Sequence, residues 1–443
     1  LDVDIVSDQD YTRDFKKGYM GWKPAKEYFQ DVFSWDLDDY NDPIRTSQLN
    51  FNKTWPAFNL NAKLRYDLDS TLRNTDEPND ILQQLPSIEF SAIKQRIAES
   101  SFFYNLESEY VYFWSEDAIR SQRLDVLPRL FLPLQFRPFI TIEPSVGLRG
   151  TLYYLDKESF SQDGDQQFFH RETYDTRLDL FSEINKVFRT EWKTIEAVKH
   201  TIRPRIVHEF TPNVDQDDLP ELDSSDRIDK KNLLTYSLVN TLTTKSKKMG
   251  TFEPTRRFDK NQAEVIGAPK EYTYNDLMRF NLIQSYDIEE ARQEDPDRPF
   301  SPITAELDLF PGKYFAIDAD TSWSVYDWEF LSFNILANLW DARGDTLTVE
   351  YRYTGDSAEL EQNRANSIYG NLGVKVTDRL KISGDYEYNF LDNTRVQTGF
   401  GINYKAQCWA FEGSITERIG VDDTSRLDFE IKIHLFGLGE FGI

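Results

Sequence analysis

From residue 314 to its end the chain alternates apolar and polar positions with a period of two. In the last run Leu427, Phe429, Ile431, Ile433 and Leu435 alternate with Asp428, Glu430, Lys432 and His434. An earlier run sets Leu380, Ile382, Gly384, Tyr386, Tyr388 and Phe390 against Lys381, Ser383, Asp385, Glu387 and Asn389. That period puts one set on each face of a pleated sheet, so every strand has an apolar face and a wet one. A soluble sandwich shares the pattern. These runs, however, span about ten residues and follow one another through short turns, which is the strand length of a membrane barrel.

The alternation predicts strands at 314–326, 331–341, 345–354, 367–377, 379–390, 395–405, 408–418 and 426–436. Tight connections at 377–379, 405–407 and 341–345 contrast with long acidic ones at 289–302 and 355–366. Short turns at one end and long loops at the other are the outer-membrane arrangement, with the short ones periplasmic. This predicts a periplasmic C-terminus and an outward loop at 419–425. Upstream, rougher runs lie near 44–53, 57–68, 85–96, 102–114, 123–135, 140–154, 174–189, 200–211, 233–245 and 272–288. Pro128, Pro133, Pro138, Pro144 and Pro204 each lack a ladder donor, so they belong at strand ends, bulges or edges. With two N-terminal candidates the count is roughly twenty strands, a large all-β antiparallel outer-membrane β-barrel. No repeat, low-complexity tract or linker divides the chain, so residues 1–443 are expected to form one domain. Counting directions back from a periplasmic C-terminus leaves the strand at Leu1 to Val6 running inward with no neighbour before it. The expectation is that the first barrel strands lie upstream of Leu1.

Charge and composition narrow the class. Lys+Arg 51 against Asp+Glu 76 gives a net charge of -25, which argues against nucleic acid, whose phosphates need a basic footprint. No run approaches the ~18 consecutive apolar residues of a spanning helix. A barrel survives this test because alternation halves its apparent hydrophobicity. Phe 32, Tyr 23 and Trp 9 supply rings of the kind barrels place at both bilayer interfaces. A single Cys rules out an internal disulfide framework, and four His leave little for a metal centre. The chain starts at Leu1 without Met or a signal segment, so a removed leader or a longer parent protein is expected.

Four stretches together carry a family likeness. They are His200 to Pro212 followed by Asp215-Gln216, Leu219-Pro220, Asp223 and Asp226; Val3 to Phe15; Gln284 to Ala291; and Ile402 to Trp409 leading to Phe436 through Gly439. In order and spacing the chain resembles the LptD family, the outer-membrane lipopolysaccharide-assembly proteins. The resemblance implies a large barrel that takes lipopolysaccharide from a periplasmic protein bridge and delivers it to the outer leaflet through a lateral gate. It also implies a jellyroll domain before the barrel and an LptE-like lipoprotein plugging the lumen. The gate lies between first and last strands in that family, so its last-strand side falls here on Leu427, Phe429, Ile431, Ile433 and Leu435. Family members commonly carry adjacent cysteines that pair with the jellyroll; here Gln407 takes the first place and Cys408 alone remains. A disulfide from Cys408 to the missing domain is thus implied, with a small inert residue at a strand start as the alternative.

Other features have a functional and a plain reading. Asp215, Asp217, Asp218, Glu221, Asp223 and Asp226 could hold divalent cations, or form only a solvated acidic loop, since the spacing lacks the EF-hand glycine and terminal glutamate. Asp318, Asp320, Ser322 and Ser324, with Lys381, Asp385 and Glu387, suit contact with a saccharide in transit or the wetting of a lumen. Lys245, Lys247 and Lys248 suit an anionic-lipid patch or interface anchors. No Gly-x-Ser-x-Gly, His-Glu-x-x-His or phosphate-cradling glycine loop occurs, so neither enzyme activity nor a cofactor is expected. Lipopolysaccharide and outer-membrane lipids are the expected partners. A general porin or receptor barrel that passes solutes through its lumen is the rival reading.

Overall fold

The computed structural model describes the chain apart from residues 1, 7–10, 12–20, 35, 72–80, 117–119, 157–166, 191, 193–194, 248–271, 295, 356–363, 420–424, 437–438 and 443. The outward loop expected at 419–425 and the segment 249–271 after Lys248 fall largely or wholly outside the described residues, as does Lys248 itself. Among the described residues 22 strands belong to one antiparallel sheet. The first ten are β1 (Ile44–Thr54), β2 (Phe58–Asp69), β3 (Gln83–Arg96), β4 (Phe103–Trp114), β5 (Ser121–Phe131), β6 (Leu134–Arg137), β7 (Ile140–Leu155), β8 (Phe168–Ser182), β9 (Ile184–Arg189) and β10 (Ile195–Thr211). Then come β11 (Lys231–Lys247), β12 (Tyr272–Asp287), β13 (Ile303–Gly312), β14 (Phe315–Trp323), β15 (Phe330–Trp340) and β16 (Thr346–Thr354). Last are β17 (Ala365–Lys375), β18 (Leu380–Asn389), β19 (Thr394–Lys405), β20 (Trp409–Ile419), β21 (Ser425–Leu435) and β22 (Gly439–Gly442).

Three elements depart from the strand-by-strand expectation. A helix, α1 (Trp22–Phe33), precedes β1. Pro24 sits in its first turn, where a missing N–H costs nothing, and Ser34 ends it in the left-handed region at φ 52, its N–H bonded to the Gln30 carbonyl. β13 was not expected; it begins directly after Pro302 and closes at Pro311-Gly312, which shortens its visible alternation. β22 turns back on β21, so β21 is not the last strand of the sheet. The runs at 174–189 and 123–135 each divide in two, as β8 and β9 and as β5 and β6. At the N-terminus Asp2 makes an antiparallel bridge to Gln48 of β1.

The described residues fall into two compact units: Leu1–Gln135, Thr141–Asp179 and His208–Asn232, and Phe136–Ile140, Leu180–Val207 and Leu233–Ile443. Within the first, β1 to β5 form an antiparallel meander and β5 pairs with β7. Within the second, β11 to β22 do the same, each pairing with the next.

Burial in the first unit is inverted relative to a water-soluble protein. On β5 and β7 the buried side chains include Ser121, Arg123, Asp125, Ser145 and Thr151. Their apolar neighbours point the other way: Leu148 is 60% exposed and Leu152 56%, with Leu124 and Leu130 also exposed. Each such leucine left in water forgoes about 1.5–3 kcal/mol of burial, and a continuous row of them is tolerable only against another apolar medium. The second unit shows the same exposed row on β21, with Leu427, Phe429, Ile431 and Ile433 all exposed.

Candidate functional site

The polar face of the first unit gathers its most deeply buried charges at one place. The loop 212–230, which follows β10, folds on itself first. Gln216 ties its two ends together, its side-chain amide donating to the Ile228 carbonyl at 2.9 Å and accepting from the Ile228 N–H at 3.0 Å. Asp226 turns its carboxylate back to accept from the N–H groups of Leu222 at 2.6 Å and Asp223 at 2.8 Å, while Asp223 accepts from Ser225 N–H at 2.8 Å. Asp and Ser are the residues whose short side chains close such turns.

Four strands then clamp this loop. Arg123 of β5 donates to Asp223 Oδ1 at 2.5 Å, Asp223 Oδ2 at 2.8 Å, Asp226 Oδ1 at 2.8 Å and Glu109 Oε2 of β4 at 2.8 Å. Tyr153 of β7 donates to Asp226 Oδ1 at 2.9 Å. Arg171 of β8 donates to Gln216 Oε1 at 2.9 Å, to the Asp226 carbonyl at 2.6 Å and to Thr151 Oγ1 at 3.1 Å. The Thr151 hydroxyl donates in turn to Asp125 Oδ2 at 2.6 Å, which also accepts from Arg149. Asp226 is 0% exposed and Arg123 1%. A fork of guanidinium donors matched to carboxylates is the arrangement that makes such burial tolerable. Burial pushes the Asp223 carboxyl up, but hydrogen bonds from Arg123 and from the Ser225 backbone outweigh it and hold the group below its ordinary value.

Further along the same strands Arg129 of β5 reaches Asp175 of β8 at 2.5 Å. Gly147 of β7 makes room for the pair, since a Cβ there would lie 2.5 Å from Asp175 Oδ1 and 3.0 Å from the Arg129 guanidinium.

The acidic loop therefore does not converge its carboxylates on a cation. Asp215, Asp217 and Asp218 are exposed, whereas Asp223 and Asp226 face Arg123 and spend their lone pairs on donors. Among the described residues no group of three or more His, Cys, Asp or Glu is arranged to hold a metal ion. Arg123, Glu109, Tyr153 and Arg171 were not singled out in the sequence; the one available signal was a charged residue placed within an otherwise apolar-alternating strand. The polar-face sets disperse. Asp320 accepts from Asn334, Asp385 accepts from Gln397, and Ser324 belongs to the turn after β14. Lys245 lies over the Tyr272 ring at 3.7 Å, near Glu196.

Cys408 is exposed in the turn between β19 and β20 with its thiol outside any disulfide among the described residues, and its carbonyl accepts from Phe436 N–H at 3.0 Å. The strand β21 pairs with β20 at all eleven registers from Trp409↔Leu435 to Ile419↔Ser425. On its other edge β22 occupies the positions of Lys432, Ile433, His434 and Leu435.

A family model described as LPS transport system D matches residues 1–370. The chain belongs to the LptD family. Its relatives include the LPS-assembly protein LptD of Hahella chejuensis, 22% identical over all of this chain and 52% of that protein. The LPS-assembly protein LptD of Alkalilimnicola ehrlichii is 24% identical, over 99% of this chain and 54% of its own length. That of Aromatoleum aromaticum is 25% identical over 82% and 44%. The chain spans about half the length of the curated relatives it matches. Among solved structures, the siderophore receptor PirA of Acinetobacter baumannii aligns with 88% of this LptD-family chain and 71% of its own at 8% identity, with a TM-score of 0.33.

Proposed function

We propose that this LptD-family chain is the membrane-spanning part of a lipopolysaccharide transporter, an outer-membrane β-barrel that delivers its cargo to the outer leaflet through a lateral gate. The observation that carries the reading is the inverted burial in the first unit: Arg123, Thr151 and Asp226 are buried while Leu124, Leu148 and Leu152 are exposed, so one face of its sheet suits lipid and the other a polar conduit. The family match supports lipopolysaccharide as the cargo. Residues 1–443 act as a single barrel domain preceded in the complete protein by a periplasmic jellyroll. Its C-terminus is periplasmic, an LptE-like lipoprotein fills its lumen, and a periplasmic Lpt bridge feeds it. The role is transport and assembly, not catalysis.

The saccharide part travels along the polar face, where paired charges keep water in place, and the acyl chains leave sideways. An unbroken ladder would forbid that exit, so the closure beside β21 is the part that opens. Cys408 joins the jellyroll through a disulfide; complete alkylation of its thiol in the unreduced full-length protein would overturn that point. For the gate itself, the test is a crosslink between β21 and the first strand of the complete barrel. Export of lipopolysaccharide should stop when the link forms and resume on its reduction. If the locked protein still exports, lateral exit is wrong. If depletion leaves surface lipopolysaccharide intact but lowers solute uptake, the protein is a porin.

A further inference from the structure

The turn between β14 and β15 holds a large side chain in a conformation that large side chains avoid. Trp328 has φ 56, in the left-handed region, and is 77% exposed. Neither feature is explained by the clamp around Arg123 or by the strand ladder. A residue kept in a disfavoured backbone region needs surroundings that impose it, and these are present. Ser324 N–H donates to the Glu329 carbonyl at 2.9 Å, and Ser324 Oγ accepts from Tyr326 and Asp327 N–H while donating to Asp327 Oδ2 at 3.0 Å. Arg298, from the preceding loop, grips the same Asp327 with both ends of its guanidinium, at 2.7 and 3.1 Å. Tyr326 OH accepts from the Phe300 N–H at 2.7 Å. Two loops are thus fastened together beneath one protruding indole.

The direction in which it protrudes identifies what it meets. Trp328 packs edge-on against Trp323, ring centroids 5.3 Å apart. Trp323 ends the side of β14 that carries Phe315, Ile317 and Ala319, with Thr321 between Ala319 and the indole. Across the ladder these face Leu339, Ala337 and Ile335 of β15, and Trp323 faces Phe330, which is 50% exposed. Phe333 continues the row, paired with Tyr353 of β16 and 6.2 Å from the Tyr351 ring. Trp328 therefore extends the apolar wall past the end of the strands, where charged Asp327, Glu329 and Arg298 also lie. Indole is amphipathic, with an apolar body and one N–H, and it settles where acyl chains give way to head groups.

We infer that the β14–β15 turn is a built lipid anchor, with Trp328 inserted into the head-group boundary of the bilayer and the Arg298–Asp327 clamp fixing its pose. This rests on the reading of the sheet as a membrane wall, and Trp323 provides a separate control for that reading. The test uses the complete protein labelled with fluorotryptophan, in phosphatidylethanolamine and phosphatidylglycerol nanodiscs. Fluorine resonances are assigned through Trp328→Phe and Trp323→Phe, with Trp328→Gly as a second variant that accepts the positive φ freely. A lipid carrying a nitroxide at its head group should broaden the Trp328 signal severalfold more than a water-soluble gadolinium chelate does. Broadening of Trp323 by the lipid probe with Trp328 answering only to the chelate would overturn the anchor and leave the wall, as expected of a turn that instead meets a saccharide or a soluble protein. If neither ring answers to the lipid probe, both the anchor and the wall are wrong.

Discussion

The clamped wall of β4, β5, β7 and β8 and the meander from β13 to β21 use the same ladder, yet they handle charge in opposite ways. In the wall, buried arginines reach across the sheet and far along the chain: Arg123 and Asp226 are 103 residues apart. In the meander, pairs stay within a strand or join sequence-neighbouring strands, as Arg395 joins Glu417, and they are more exposed. Arg352 meets Glu350 two residues away, and Arg426 meets Asp428, with the Arg426 side chain 72% exposed. The lesson is that the two regions have different sources of order. The meander is ordered by pairing each strand with its sequence neighbour, whereas the wall is ordered also by a loop that it holds as a clamp holds a wedge.

Breaking the clamp should have the largest effect. Arg123→Met removes the partner of Asp223 and of fully buried Asp226, and stranding a buried charge costs about 3–5 kcal/mol. Hydrogen exchange should show protection lost across 212–230 while β13 to β21 keep theirs. Unchanged protection of the loop would show that its own turns suffice. Next, Gly147→Val drives a side chain into the Arg129–Asp175 pair, and overpacking of this kind costs about 1–3 kcal/mol. Thermal unfolding in detergent should reveal the drop.

Acid offers a gentler way to separate the regions. The folded value of Asp223 lies below its ordinary 3.8, so its contribution is complete above that value and is lost as pH falls through the depressed one. Limited proteolysis between pH 5 and pH 2 should therefore release the 212–230 loop only at the acid end. Release already near pH 5 would mean that Asp223 does not hold it. The smallest effect belongs to Arg418→Ala in the meander, whose exposed pair with Asp428 is worth no more than about 0.5–1 kcal/mol and less in salt. A larger loss of melting temperature there would erase the contrast between the regions.

The meander was legible in the sequence because a sheet with one face in lipid must alternate at every strand, and Leu427 through Leu435 do so without interruption. The clamp was not, because a contact between residue 123 and residue 226 leaves no periodic trace. The acids of 215–226 were visible as a cluster, but acidity alone fits a cation, water or an arginine equally well. Only the position of Arg123 decides among them. Helix α1 escaped for a different reason: Trp22, Ala25, Phe29 and Val32 follow helical spacing over just three turns, beside a proline. β22 spans Gly439–Gly442, too short to display any pattern.

That short strand bears on the gate proposed beside β21. It is joined to β21 by a few residues, so it meets the positions of Lys432 to Leu435 at the high effective concentration of a tethered ligand. Any other strand seeking those four registers on that side enters a contest with the chain's own tail. Under the proposed gate, closing the wall there would exchange one partner for another, at a rate set by how readily β22 lets go.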